Sequence, residues 1–427
     1  MTSIQVIGDL ILDQYISGTA KRLSPEAPVP VLTNMETTYM AGGAANVARN
    51  LASLGCRVEL FGAVGEQEET RTLCEMLQAD GIEIRVISNG SAKTTVKTRI
   101  VADGQQLVRL DAESSHRDLS PDITAALADT GGVPIVVFSD YNKGVLDQGR
   151  ELIRKIKKSR VLVDPKRPLE NYEGAWLVKP NRKEFEQFFG EFDNVEDIIR
   201  LSRKAMEMYH ISNVLVTLGA EGMLLVTPNT YRGYESTAQE VFDITGAGDV
   251  VLSVLAYTLS HGIDLEAAVG MASRAAGISV AYKGNYIVKP NDIKQFGTVF
   301  TNGCFDILHR GHVEYLKQSR ELGNRLVVGI NSDASVARLK GPGRPVNDQD
   351  ARKAVLEALG CVDEVIVFDE DTPLELITKI RPDVITKGGD YKAEQVVGKE
   401  IAKAVIILPY HTGSSTTETI ARIRHAS

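Results

Sequence analysis

The chain has 427 residues, enough for two or more domains that each bury a core, and its 43% hydrophobic and 24% charged residues exclude a disordered or fibrous protein. A formal net charge of −8 argues against nucleic acid or an anionic membrane as the main partner, while leaving room for local basic pockets that hold phosphate. The scattered cysteines Cys56, Cys74, Cys304 and Cys361 lack both metal-ligand spacing and the density of a disulfide framework; with no secretory leader and no apolar run long enough to span a membrane, a cytoplasmic protein is expected.

Ile4 to Ile7, followed by Gly8-Asp9, reads as a buried parallel strand ending in a turn, with Asp13 just beyond, where α/β sheets bind ligands. Ser24 to Val31 is too proline-rich for a helix and suits extended edge structure. Gly42 and Gly43 then open an alanine-rich helix in which Asn46 offers a donor and an acceptor. Tight packing on a sheet would explain the alanines and Gly43 but not the polar Asn46. Residues 84 to 111 alternate in polarity around Ala102-Asp103-Gly104 and predict a hairpin. Lys97, Arg99 and Arg109 there are either solvated or, as a group, suited to a phosphorylated substrate. Strands and helices alternate from 133 to 217, with helices near 147–158 and 194–209, which predicts a parallel sheet covered on both faces.

Asp243 to Asp249, D-I-T-G-A-G-D, precedes an apolar helix. Gly246, Ala247 and Gly248 would expose backbone amides at the helix start, where phosphoryl oxygens are held, and Asp249 could take a proton from an attacking hydroxyl. By itself G-x-G-D is equally a tight turn with a capping aspartate. Further along, Gly284 to Gly297 carries the turn formers of a domain boundary. Thr301 to His312, T-N-G-C-F-D-I-L-H-R-G-H, combines a strand end, a turn and a helix start, with His309 and His312 three apart on one helical face and able to donate hydrogen bonds to phosphate. The strand R-L-V-V-G-I closes a βαβ unit, and V-D-E-V-I-V-F and P-D-V-I-T-K add two strands to a small doubly wound sheet.

A-G-G-A-A-N-V-A, Gly55, Gly65, N-R-K-E at 181 to 184, V-T-L-G at 216 to 219 and G-A-G-D together resemble the ribokinase-type sugar kinase family over roughly residues 1 to 292. The resemblance implies Asp249 as general base and Gly246, Ala247 and Gly248 as an anion hole. Asn181 and Glu184 would organise phosphate and Mg2+, Glu184 acting on the metal indirectly. Thr217, Gly219 and Gly222 would lie near the nucleotide. Asp13, Gly43, Asn46 and Arg109 would hold the sugar under a small β lid built from hairpins near 14–40 and 84–111, which closes and excludes water.

T-N-G-C-F-D-I-L-H-R-G-H, V-V-G-I-N-S-D, K-G-P-G-R-P-V-N, K-G-G-D-Y and S-S-T-T resemble, in order, the nucleotidyltransferase family that joins a nucleotide to a sugar or polyol phosphate. This implies His309 and His312 at the α-phosphorus, and Phe305, Lys340, Ser415 and Thr416 as nucleotide contacts; Arg352 and Asp390 are weaker candidates. Without the resemblance, Lys340 and Arg352 read equally as solvated surface charges.

The expectation is therefore an α/β protein: a ribokinase-like doubly wound domain with a small β lid at 1–290, a short linker at 291–297, and a smaller Rossmann-like nucleotidyltransferase domain at 298–427. Fused in this order, with S-P-E-A-P-V-P-V, D-Y-N-K-G-V-L and V-D-P-K, the halves resemble the bifunctional family of ADP-heptose synthesis. That implies heptose phosphates and ATP as partners, Mg2+ and room for a monovalent cation as cofactors, and a homodimer formed through the kinase domain. The linker and the segment from Lys399 to Gly413 are shorter than that family's. Another sugar or polyol phosphate with CTP or GTP remains an alternative. An RNA-binding synthetase is disfavoured by the acidic charge and the missing K-M-S-K-S-like loop, and a scaffold by the presence of Asp249, His309 and His312 together.

Overall fold

The computed structural model describes residues 2–88, 92–128, 133–156, 159–238, 240–293, 296–341, 343–389 and 391–408. It divides into two compact units between Ile293 and Lys294.

In the first unit nine strands form one sheet in the order Tyr231–Tyr234, Met223–Val226, Asn213–Thr217, Leu177–Val178, Arg160–Asp164, Ile135–Ser139, Ser3–Gly8, Arg57–Ala63 and Glu83–Ile87. All pairings are parallel except the two that tie Met223–Val226 to its neighbours. The central strands read as continuous apolar runs because both faces are covered. Val6, Leu60, Val137 and Leu162 face a cluster with the helices Ala44–Ser53, Ala247–Ser260 and Leu265–Ser279. Ile7, Phe61, Phe138 and Val163 face the opposite cluster, with Gly149–Lys155, Arg182–Phe188 and Val195–Tyr209. The alanines of Ala44–Ser53 are explained by contact: Ala44, Ala45 and Ala48 are fully buried, and a larger side chain would push the helix off the sheet and off Ala247–Ser260.

A second sheet carries the strands Pro30–Gly43, Leu10–Leu23, Thr95–Ala102 and Gln105–Ala112 in that order. One expectation is refined here and two are corrected. Asp13 does follow the end of Ser3–Gly8, but it sits within the next strand, Leu10–Leu23, of this second sheet. The hairpin spans 95–112, while Glu83–Ile87 pairs with Arg57–Ala63 at the main sheet's edge, because a parallel edge strand alternates in polarity much as a hairpin strand does. Residues 25–29 form the bend between the two long strands, held by the Ser24 amide on the Val29 carbonyl at 2.8 Å, and extended pairing resumes at Pro30.

The second unit is a five-stranded, wholly parallel sheet in the order Glu364–Phe368, Gly323–Asn331, Phe296–Gly303, Val384–Gly388, Ala404–Leu408. Its last strand falls in the segment read only as shortened. The order reverses between Phe296–Gly303 and Val384–Gly388, and such a switch point opens a crevice at the carboxyl ends of the two strands. Phe300, Val327, Phe368, Ile377 and Ile385 pack one face. Among the described residues no helix is long and apolar enough to cross a membrane.

Candidate active sites

The first site is built at the start of the helix Ala247–Ser260. Gly246 caps it at φ 74°, a left-handed conformation that suits glycine, and a Cβ there would stand 2.8 Å from Asn285 Oδ1 and 3.0 Å from Asn46 Nδ2. Asp249, in the first turn, is buried. Asn46 Nδ2 donates to its Oδ2 at 2.8 Å and the Tyr141 hydroxyl to its Oδ1 at 3.1 Å. Burial pushes the carboxyl up to about 7; the Asn46 bond opposes this and the nearby Asp164 carboxylate adds to it. A carboxylate poised there has the basicity a general base needs at neutral pH.

Lys179, buried under the glycine turn, donates to Asp164 Oδ2 at 3.0 Å, and a Cβ on Gly248 would sit 3.3 Å from the Lys179 ammonium. Burial alone would drain the lysine's charge, but Asp164 and Glu184 hold it protonated, with its pKa above the ordinary value. Asn181 caps Arg182–Phe188 through a capping box: the Glu184 amide donates to Asn181 Oδ1 at 3.0 Å and the Asn181 amide to Glu184 Oε2 at 2.9 Å. The other Glu184 oxygen accepts from Lys166 at 3.0 Å. Glu184 and Asp164 are therefore already engaged by protein donors, and among the described residues no three carboxylate, histidine or cysteine groups gather as a metal cage. The donor set fits an ion held through water and substrate phosphate rather than one ligated directly.

Thr217 ends the strand Asn213–Thr217 and bridges to Asn181; Gly219 and Gly222, at φ 64° and 86°, turn the chain back into Met223–Val226. A Cβ on Gly222 would overlap the Tyr234 carbonyl at 2.0 Å, so this turn admits only glycine. On the lid, Asp13 accepts from Arg99 at 2.6 Å and from Asn285 Nδ2 at 2.9 Å, and Gly42 lets its carboxylate approach the neighbouring strand, since a Cβ would sit 2.4 Å from Asp13 Oδ2. Gly43, at φ 59°, caps Ala44–Ser53 and its amide neighbour Ala44 bonds the Asp9 carbonyl at 3.1 Å. Arg109 lies on an outer, exposed strand with its guanidinium on Asp111 at 2.8 and 2.9 Å; Arg99 is the arginine bonded to Asp13.

In the second unit the strand Phe296–Gly303 delivers a turn at the crevice. The helix begins at Arg310, so His309 is its cap in extended conformation and not a member of its face. The two imidazoles nonetheless stack, with ring centroids 3.8 Å apart, and Phe305, at φ 46°, sets its ring edge-on to His312 at 5.2 Å. Burial, with His309 beside it, lowers His312 to about 4 against the opposing pull of a hydrogen bond to the Ile307 backbone, and burial lowers His309 as well, so the neutral imidazole is favoured in both. Asp306 accepts from the Val346 and Asn347 amides, both at 2.9 Å, and from Arg344 at 2.8 Å, which folds the K-G-P-G-R-P-V-N segment against the histidine turn. Lys340 ends the helix Asp333–Lys340, and its charge reaches Cys304, whose thiol burial raises and Lys340 lowers.

Arg352 corrects the surface-charge reading. It is buried, and donates to the Cys304 carbonyl at 2.8 Å, the Asn347 carbonyl at 3.0 Å and Asp333 at 2.7 Å, so it clamps the crevice wall and offers no guanidinium to a ligand. Ser415, Thr416 and Asp390 lie outside the described residues. Tyr141 and Lys387 lie in the motifs D-Y-N-K-G-V-L and K-G-G-D-Y and Lys179 directly follows the strand Leu177–Val178, yet none of the three carries a role readable from the sequence. Tyr141 reaches Asp249, and Lys387 spans the switch point to Asn302 Oδ1 at 2.7 Å. A polar residue inside an otherwise apolar strand end was the available signal.

Known families and structures match this arrangement. Residues 1–292 match the pfkB family of carbohydrate kinases, and residues 300–416 the cytidylyltransferase-like family. The bifunctional protein HldE of Shewanella sediminis is 41% identical over 460 residues, covering 98% of this chain and 97% of that protein. HldE of Pseudomonas aeruginosa is 41% identical over 462 residues, covering 99% and 97%. Among solved structures, ribokinase from Thermotoga maritima superimposes with a TM-score of 0.56 at 24% identity, over 69% of this chain and 98% of that one. Phosphofructokinase-2 from Escherichia coli, in complex with fructose-6-phosphate, gives 0.59 at 19% identity, over 69% and 97%. At these identities the two structures speak to the fold alone.

Proposed function

The chain belongs to the HldE family of bifunctional proteins, a pfkB carbohydrate kinase joined to a cytidylyltransferase-like domain, and on that premise we propose that it carries out two steps of ADP-heptose synthesis. The first unit phosphorylates D-glycero-β-D-manno-heptose 7-phosphate at C1 with ATP. The second joins the resulting heptose 1-phosphate, once another enzyme has removed the 7-phosphate, to AMP from a second ATP.

In the kinase step Asp249 takes the proton of the anomeric hydroxyl as its oxygen bonds the γ-phosphorus, and the bond to the β-phosphate oxygen breaks to release ADP. Asn46 and Tyr141 hold the carboxylate in line. The helix start at Gly246, Ala247 and Gly248, with Lys179 beneath, receives the charge that spreads over the phosphoryl oxygens. Asn181 and Glu184 hold the phosphate end of the nucleotide, and Thr217, Gly219 and Gly222 its other end; a Mg2+ ion arriving with ATP would be held through water by Glu184 and would supply charge neutralisation at the phosphates. Asp13, Gly43 and Asn46 orient the sugar under the lid. Room for a monovalent cation and a homodimer through the kinase unit belong to the same reading.

In the adenylyl step an already ionised oxygen of the 1-phosphate attacks the α-phosphorus and pyrophosphate leaves, so no side-chain base is required. Neutral His309 and His312 donate to the α-phosphate oxygens as charge builds, and Phe305, Lys340, Ser415 and Thr416 hold the nucleotide.

The observation that carries the kinase reading is the buried Asp249 carboxylate, held by two donors at the mouth of a glycine-opened helix. Phosphorus NMR of the protein with MgATP and heptose 7-phosphate, fructose 6-phosphate or ribose tests it. A bisphosphate signal from the heptose alone is expected. An inert heptose beside another sugar that turns over would leave the fold and remove the pathway.

A further inference from the structure

A single residue, Asp9, separates the strands Ser3–Gly8 and Leu10–Leu23, and it is fully buried. Its carbonyl accepts from the Ala44 amide at 3.1 Å. Its carboxylate accepts three backbone amides from one loop: Tyr141 at 2.8 Å and Lys143 at 3.0 Å on Oδ2, and Val145 at 3.3 Å on Oδ1. Between those donors Asn142 and Gly144 stand at φ 59° and 118°, left-handed turns that let a backbone wrap its N–H groups around one anion.

This carboxylate has no part in the phosphoryl-transfer steps, yet it is buried at a cost that the three amides offset. Burial raises its pKa against those amides and the Arg167 guanidinium. The neighbouring Asp140 is pushed up to about 6 by burial and by Asp9, against Arg167 and the Tyr172 hydroxyl, which donates to it at 2.7 Å. The two segments that Asp9 anchors are the two that reach the general base. Ala44 opens the helix that carries Asn46, the loop carries Tyr141, and their side chains meet Asp249 at 2.8 and 3.1 Å. The main chain of Asp9 ties the helix, and its side chain ties the loop.

We propose that Asp9 is a positioning residue for the general base of the kinase, acting through Tyr141. The inference rests on the kinase reading above. An asparagine at position 9 would offer one acceptor oxygen and turn an NH2 group toward backbone N–H donors, so the loop would lose its hold. The Ala44 amide would keep its carbonyl, and Asn46 would stay on Asp249. Because the Tyr141 bond favours the ionised carboxyl, losing it raises the pKa of Asp249 further and moves the acid limb of the kinase to higher pH.

The test compares wild type, Asp9→Asn, Tyr141→Phe and the double variant in kcat on the alkaline plateau and in the acid limb of kcat/KM. It uses whichever sugar the wild type phosphorylates, so a wrong heptose assignment leaves it intact. Each single variant should lose roughly tenfold in kcat with little change in KM, and move the acid limb up by about one pH unit, the worth of one hydrogen bond to a charged group. The double variant should fall less than about twofold below Tyr141→Phe. An Asp9→Asn enzyme that loses kcat with its acid limb in place would make Asp9 a structural residue and overturn the proposal, as would losses that multiply in the double variant. Tyr141→Phe removes one hydroxyl and decides the matter if Asp9→Asn does not fold. An unchanged kcat and acid limb there would leave Asp9 nothing to act through.

Discussion

Asn46 and Asp249 are 203 residues apart and meet at 2.8 Å, amide to carboxylate, at the point where two helices converge on the carboxyl edge of the first sheet. With Tyr141 on the other oxygen, the carboxylate is oriented before any sugar binds. Asp249→Asn should lower kinase kcat by at least about 10³-fold, within the range for loss of a positioned base, and leave adenylyl transfer from ATP to heptose 1-phosphate intact. Phosphorus NMR of each half-reaction reads both; loss of both activities would refute independent sites.

The same substitution bears on stability. The carboxyl ionises at about 7 in the fold, above its ordinary 3.8, so the fold favours the protonated form and is penalised as pH rises through that window. Removing the charge should raise the melting temperature above pH 7, by the equivalent of up to a few kcal/mol, and change it little near pH 4. Melting curves at the two pH values check the sign.

The two activities should part in their pH dependence. Kinase kcat/KM should fall as pH drops below about 7, following Asp249. Adenylyl transfer should show no limb from His312 between pH 6 and 8, because burial holds that ring at about 4, and any limb from His309 should lie below the ordinary histidine value, because burial lowers it too. A bell centred on an ordinary histidine value for adenylyl transfer would sink this. His309→Ala should abolish it while sparing the kinase.

Asn181 is asked to do two things. Losing the cap of Arg182–Phe188 should cost about 1 kcal/mol in Asn181→Ala. If it also organises phosphate, kcat/KM for ATP in the kinase reaction should fall tenfold or more at temperatures where the variant is fully folded. A variant less stable but equally active would reduce Asn181 to a cap.

Arg352→Met removes three hydrogen bonds and leaves Asp333 without its partner. The Asp333 carboxylate is 41% exposed and rehydrates, so the cost comes mainly from the Cys304 and Asn347 carbonyls left without a donor, roughly 1–3 kcal/mol. The second unit should unfold at a lower temperature, taking adenylyl transfer with it while kinase activity persists. Calorimetry followed by both assays reads this.

Much of the architecture was legible in the residues themselves. Alternating strands and helices, the glycine-opened helices at 42–44 and 246–249, and the H-x-G-H turn are local patterns, and local patterns survive in sequence because backbone conformation and the period of burial are set within a few residues. Tertiary structure decided which side chains meet. Arg109 and Arg99 are equivalent in composition, yet only Arg99 lies on the strand paired with Asp13. Arg352 looks like any surface cation until the fold buries it against Cys304, Asn347 and Asp333. Tyr141, Lys179 and Asn285 reach their partners across strands and helices whose order no local signal records. Asp249 itself was named from its motif, but its basicity was not readable there. That comes from the burial, the Asn46 and Tyr141 donors and the field of Asp164, all supplied by segments brought together only when the sheet forms.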